Sequence, residues 1–331
     1  MSFRSLALAA LVFLACGGGG GDPAPVVEAT DDPTPAAPAP AQPAPEPVPS
    51  SFSFSVAGDM RAALGPTEFG GVLAALADLG PGEFLVSPGD LDPPADVRAS
   101  IDAALGADFP WLAVVGNHEV ESPAHMAYLR ARGAGPLLFA TNFRPGPGAS
   151  AATTYAFDAG DAHFVVLNQY FDGRVDDFIP SNAGLSGDVS PALLEWLEAD
   201  LAAAEARSPR YVFVIGHEPA WPMADADGAA ARHVGDSLDA HPQNRDAFWE
   251  VLKAHRVTAY FCGHTHGFSV HDIGGVLQVD TGHSKGAADV SPPSTFLRVD
   301  LEPSGGVMTT WRATPDGAYE PHSVVQLVPR S

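Results

Sequence analysis

From residue 51 onward, short apolar runs alternate with longer amphipathic stretches, a pattern that predicts strands followed by helices. The run at 52–56 leads to a helical stretch at 67–79, 84–86 to one at 95–105, and 111–115 to one at 123–132. Parallel strands joined by crossover helices are the expected result. Segments 153–157 and 163–167 flank Asp158-Ala159-Gly160-Asp161, a turn that predicts antiparallel pairing. Between 190 and 207, Leu193, Leu194, Leu197 and Leu201 share one helical face, and Ser190-Pro191 provides a cap followed by a first-turn proline. A strand at 211–215, a helix at 244–255 and the run 257–262 complete a second α/β half. Beyond 269 only short β-rich runs remain. The expected fold is α/β, a single domain of two sheets with helices outside, and no internal sequence repeat is visible.

Five of the apolar runs end alike. Each stops at glycine and then presents Asp, Asn or His: Gly58-Asp59, Gly89-Asp90, Gly116-Asn117-His118-Glu119, Gly216-His217-Glu218 and Gly263-His264-Thr265-His266. Any one of them is readable as an ordinary turn. Open α/β sheets, however, place ligand chemistry at the carboxyl edge of their strands, so five such endings point to one shared metal site.

Composition changes the picture at the N-terminus. The 331-residue chain is 46% hydrophobic, normal for a globular core. Arg4 precedes an apolar stretch at 6–15 that is too short to span a bilayer, so residues 1–16 read as a secretion signal. Val12-Phe13-Leu14-Ala15-Cys16 resembles a bacterial lipobox, in which the cysteine becomes the lipidated first residue. Phe13 departs from the usual leucine, and an ordinary cleaved signal is the alternative. Residues 17–50, rich in Gly, Pro and Ala, hold too little apolar surface to fold and read as a tether, leaving 51–331 as the folded domain. Cys262 then has no disulfide partner and reads as a small buried hydrophobe. The net charge of −23 is spread along the chain without a basic cluster, which argues against nucleic acid as a partner. Membrane contact is expected only through the lipid anchor, and the oligomeric state is not legible.

The order of these motifs, with about a hundred residues between Asn117 and His217, resembles the calcineurin-like metallophosphoesterases and, within them, the purple acid phosphatase-like branch. Residues 155–167 and Glu195-Trp196-Leu197 resemble that family's middle section. The resemblance spans nearly all of 51–266. It implies a four-layer α/β/β/α sandwich of two mixed sheets and a centre of two metal ions. By the family pattern Asp90 bridges the ions, Asp59 and His266 hold the first, and Asn117, His217 and His264 hold the second. Mixed oxygen and nitrogen donors without thiolates suit Fe, Mn or Zn. Such a pair turns water into an attacking hydroxide and neutralises phosphoryl oxygens, while His118 protonates the leaving alkoxide or stabilises the charged phosphoryl group. The implied substrate is a small phosphomonoester. A diesterase, or a surface lipoprotein that binds phosphate or metal without turnover, are the alternatives.

Two family positions differ here. Many relatives carry Asp-x-His at the first motif, where this chain has Asp59-Met60-Arg61, and purple acid phosphatases carry a tyrosine where this chain has Pro93. The first site is therefore incomplete by pattern. Asp92 or His283 would have to fill it, or the ion is weakly held or missing. Arg61 is read either as a contact for the substrate phosphate or as a surface salt bridge. Loops 133–149 and 224–243 are candidates to overhang the site or are equally readable as solvated loops, and Trp221 either walls the pocket or belongs to the core.

Overall fold

The computed structural model describes residues 51–62, 65–133, 135, 137–178, 186–289 and 292–330. The expected signal and tether lie outside the described residues.

The first sheet has six strands, in the order Tyr319–Leu327, Gly305–Ala313, Thr295–Glu302, Phe52–Val56, Leu85–Ser87 and Trp111–Ala113. The last three are parallel, joined through helices Phe69–Leu79 and Pro94–Leu105, while Thr295–Glu302 pairs antiparallel with Phe52–Val56. The second sheet has seven strands, in the order Phe268–Ile273, Val276–Thr281, Ala259–Cys262, Tyr211–Ile215, Ala162–Val166, Tyr155–Ala159 and Thr141–Pro145. Its centre is parallel and its outer strands are antiparallel.

Strand alternation builds the layers. Phe54, Phe164, Phe213 and Phe261 point between the sheets, with Phe54 within 5.2 Å of both Phe164 and Phe213, ring centre to ring centre. Tyr260 and Cys262, one residue either side of Phe261, face outward against Leu193, Leu197, Phe248 and Trp249 of helices Pro191–Glu205 and Pro242–Ala254. On the other side Leu85 and Trp111 meet Val72, Leu73, Val97 and Ile101. Strands covered on both faces read as unbroken apolar runs, and each fully buried Phe contributes roughly 1.5–3 kcal/mol. The expected four-layer α/β/β/α sandwich is the observed one.

Local detail follows the sequence closely in places. Ser190 accepts a hydrogen bond from the Leu193 amide, and Ser122 does the same for His125, each ahead of a proline in the first turn. Cys262 is fully buried. The hairpin is tighter than expected, because Ala159 pairs with Ala162 and leaves only Gly160-Asp161 as the turn. The last three strands, of 8, 9 and 9 residues, are longer than the short runs foreseen.

Two open readings resolve. Among its described residues, segment 133–149 contributes the edge strand Thr141–Pro145, where Asn142 bonds Asp158 and Arg144 pairs with Asp200. Most of that strand is exposed, so it lacks the apolar alternation that would have marked it. Trp221 packs edge-on against Trp249 at 5.0 Å and belongs to the helix layer. No helix among the described residues is long and apolar enough to cross a membrane.

Candidate metal centre

Five parallel strands, three from one sheet and two from the other, release their chains at the same edge of the sandwich. Asp59 follows Phe52–Val56, Asp90 follows Leu85–Ser87, Asn117 follows Trp111–Ala113, His217 follows Tyr211–Ile215, and His264 and His266 follow Ala259–Cys262. All six converge. Ligand atoms of Asp90, His217 and His264 lie within 4.8 Å of one another, as do those of Asp59, Asp90 and His266, so Asp90 belongs to both groups.

The preceding glycines permit this approach. A Cβ on Gly263 would strike the Asp59 carboxylate, and one on Gly89, whose φ is 95°, would strike the His217 ring. The ligands themselves turn sharply: Asp59 (φ 49°), Asp90 (56°), His264 (70°) and His266 (62°) all adopt the left-handed conformation. Asp, Asn and His tolerate it best, yet it still stores roughly 1–3 kcal/mol at each such position.

One half of the centre lacks donors. The His217 Nδ1–H donates to the Pro88 carbonyl at 2.7 Å, leaving the Nε2 lone pair 3.0 Å from Asn117 Oδ1 and 3.3 Å from Asp90 Oδ1. The His264 Nε2–H donates to the Asp236 carbonyl at 2.9 Å, leaving Nδ1 3.1 Å from the same Asn117 oxygen. Four acceptors thus face one another with no proton among them. A cation resolves that arrangement, and carbonyls fixing the far nitrogen of each imidazole are what metal-binding histidines need. Burial and the nearby His217 hold His264 well below the ordinary histidine range, in the neutral form that ligates.

The other half is already supplied with donors. His266 Nδ1 lies 2.7 Å from Arg232 Nη1 and 3.2 Å from Lys285 Nζ, which leaves its proton on Nε2, 3.6 Å from Asp59 Oδ1. Burial and these two cations pull its pKa down to about 2. Both Asp59 oxygens accept from the His264 amide. The donor set here does not fit a metal ion as it does beside Asn117. His283, expected as a possible replacement ligand, is turned away: its Nε2–H donates to the Pro292 carbonyl at 2.8 Å and its Nδ1 accepts from the Lys285 amide. Asp92 sits at the cleft mouth, opposite Arg61 across a short parallel pair of strands. Arg61 is exposed and has no ion-pair partner among the described residues, so the salt-bridge reading is not realised.

Several supporting groups escaped the sequence reading. Glu119 is fully buried and accepts from the amides of Asp90, Leu91 and Gly116, clamping two ligand loops together. Burial and Asp90 push it up to about 8. Gln169 Oε1 accepts from the His217 and Glu218 amides, both at 2.7 Å, and fixes the third loop. Asp280, raised to about 8 by burial, accepts from the Thr265 hydroxyl and anchors the fourth. His118 stands at the mouth, 41% exposed, its amide on Asp90 Oδ1 and its Nδ1 3.4 Å from Glu121. From loop 224–243, Arg232, His233 and the Asp236 carbonyl do overhang the site; the His233 ring lies 4.2 Å from that of His264. His241 instead lines a separate cavity with Phe171 and Asp188.

A two-sheet sandwich with carboxylate, amide and imidazole donors at one edge defines a metal-binding α/β protein of hydrolase type. The calcineurin-like phosphoesterase family matches residues 56–268, and the chain belongs to that family. It is 25% identical over 225 residues to Purple acid phosphatase 22 of Arabidopsis thaliana, covering 62% of this chain and 43% of that one. It is 34% identical over 113 residues to Tartrate-resistant acid phosphatase type 5 of Rattus norvegicus, covering 33% and 30%. The chain thus spans less than half the length of the curated relatives it matches. Among solved structures, PhoD shares the fold with TM-score 0.56 at 14% identity, over 85% of this chain and 70% of that one. The purple acid phosphatase PPD1 of yellow lupin (Lupinus luteus) shares it with TM-score 0.51 at 13% identity, over 84% and 54%.

Proposed function

We propose that the chain hydrolyses small phosphate esters at the Asp59, Asp90, Asn117, His217, His264 and His266 centre. The observation that carries this is the convergence of His217, His264, Asn117 and Asp90 acceptors with no donor between them. Metal bound there, with Fe, Mn or Zn the ions that suit such donors, supplies an attacking oxygen from water and neutralises phosphoryl charge. The residues do the rest. Asp90, held by Glu119 on one side and the His118 amide on the other, keeps the two halves in register. His118, oriented by Glu121, protonates the leaving alkoxide at the cleft mouth. The substrate phosphate meets Arg61, Arg232 and Lys285, a cationic rim that suits the dianion of a monoester better than the single charge of a diester.

The same reading extends to the rest of the chain: residues 51–331 act as the catalytic domain, exported by residues 1–16, tethered by 17–50 and anchored through a lipid on Cys16. Turnover of p-nitrophenyl phosphate and of its bis ester by protein reconstituted with Mn, Fe or Zn tests the function. Hydrolysis of the monoester, lost on chelation, is expected. Cleavage of the diester alone reverses the substrate assignment, and cleavage of neither removes the hydrolase reading.

A further inference from the structure

The two halves of the centre carry opposite demands. Beside Asn117, only acceptors face inward, and a single cation satisfies them all. Beside Asp59, the Nδ1 of His266 already takes hydrogen bonds from Arg232 and Lys285, so the nitrogen turned toward Asp59 carries the proton and has no lone pair to give. Asp59 shares one N–H, the His264 amide, between its two oxygens, which ties it to the fold but leaves lone pairs on both. Where the family pattern has a neutral histidine, Arg61 brings a further positive charge to the same cleft. Arg61, Arg232 and Lys285 stand here beside Asp59, Asp90 and Asp92, so their charge offsets that of the carboxylates and their N–H groups are the donors an oxyanion would meet.

We propose that this chain holds one metal ion, at Asp90, Asn117, His217 and His264, and that the first half has become a phosphoryl-oxyanion cradle built from Lys285, Arg232 and Arg61. The proposal rests on the phosphoester reading for the identity of the anion. Lys285 is its central member. It is half-buried, it comes from the loop after Val276–Thr281, and its ammonium lines the cleft, 3.2 Å from His266 Nδ1 and 3.9 Å from Asp289. A compact ammonium beside two guanidiniums offers donors to three non-bridging oxygens at once. In this arrangement positive side chains do for the phosphoryl group what a second ion would otherwise do.

The test reads binding, not turnover. Full-length protein is loaded with excess Mn or Zn, desalted and analysed for metal, and inorganic phosphate is titrated into it calorimetrically. About one metal equivalent per chain is expected, and Lys285→Met should weaken phosphate binding about tenfold while metal content and unfolding temperature stay fixed. The double variant Arg61→His/Lys285→Met, which restores a neutral donor and removes the ammonium, should take up about two equivalents. Two equivalents in the unmodified protein overturn the proposal, as does unchanged phosphate affinity in Lys285→Met or a double variant that still takes up only one. Two equivalents with monoester turnover would leave the hydrolase reading intact. One equivalent with phosphate bound and no turnover would remove that reading and keep the cradle.

Discussion

Two clusters of buried histidine and carboxylate occur in this molecule, and they are built to opposite specifications. On the helix-facing side of the second sheet, His163 lies between Asp158 at 2.6 Å and Asp200 at 2.8 Å, and each acid has its own arginine, Arg207 and Arg144. Every charge there meets its opposite. Burial drags the His163 pKa down, but hydrogen bonds to Asp158 and Asp200 outweigh it and leave the value raised. At the strand ends, by contrast, His217 and His264 face other acceptors, and burial holds His264 well below the ordinary histidine range. The same residue types therefore make either a closed structural network or an open one that needs something from outside. What separates them is whether a donor stands at each lone pair, not how deeply they are buried.

Removing what the open cluster needs should have the largest effect. Chelation, or Asp90→Asn, should lower monoester turnover by about 10³-fold or more, since bound metal supplies several kcal/mol of transition-state stabilisation. Kinetics with parallel elemental analysis would check it. His118→Asn should lower kcat by about 10²–10⁴-fold with metal content and melting temperature unchanged, because the ring is half exposed and serves only proton transfer. In the closed cluster the pattern inverts. His163→Leu removes the group shared by Asp158 and Asp200, each left with its arginine alone, and should cost about 3 kcal/mol in urea denaturation while leaving kcat alone. Glu119→Gln sits between the cases: it loosens two ligand loops and should weaken metal affinity about 10–100-fold.

The smallest effect, a pH dependence, sharpens the contrast. Because folding raises the His163 pKa, its contribution is complete below the ordinary histidine value of about 6.5 and fades as pH rises through the folded value. Asp158 runs the other way. Burial raises its pKa, hydrogen bonds from His163 and Arg207 outweigh that, and the net depression means its contribution is lost only as pH falls well into the acid range. The urea midpoint should therefore decline on the alkaline side in the unmodified protein and run flatter in His163→Leu.

The convergence of these six side chains was legible because each directly follows a buried strand, and a strand that ends in glycine announces where its chain must pass close to another. Arg232 was legible only as a member of a loop that follows a strand ending, and Lys285 and Gln169 were not singled out, because only the packing of two sheets brings them to the same edge. Glu119 and Glu121 lay in plain view next to His118, yet their roles depend on where their oxygens point, which spacing does not specify. The Thr141–Pro145 strand was missed for a simpler reason: an edge strand wet on both faces has no periodicity to read.

The left-handed backbone at Asp59, Asp90, His264 and His266 dictates how this site can be dissected. Valine or isoleucine there would disturb the main chain as well as delete a donor, so an inactive variant of that kind would teach nothing about chemistry. Asparagine accepts the same torsions and nearly the shape of aspartate. At the two aspartates it separates loss of charge from collapse of the loop, at the two histidines loss of the imidazole, and at all four the turn geometry, more than side-chain similarity, selects the informative control.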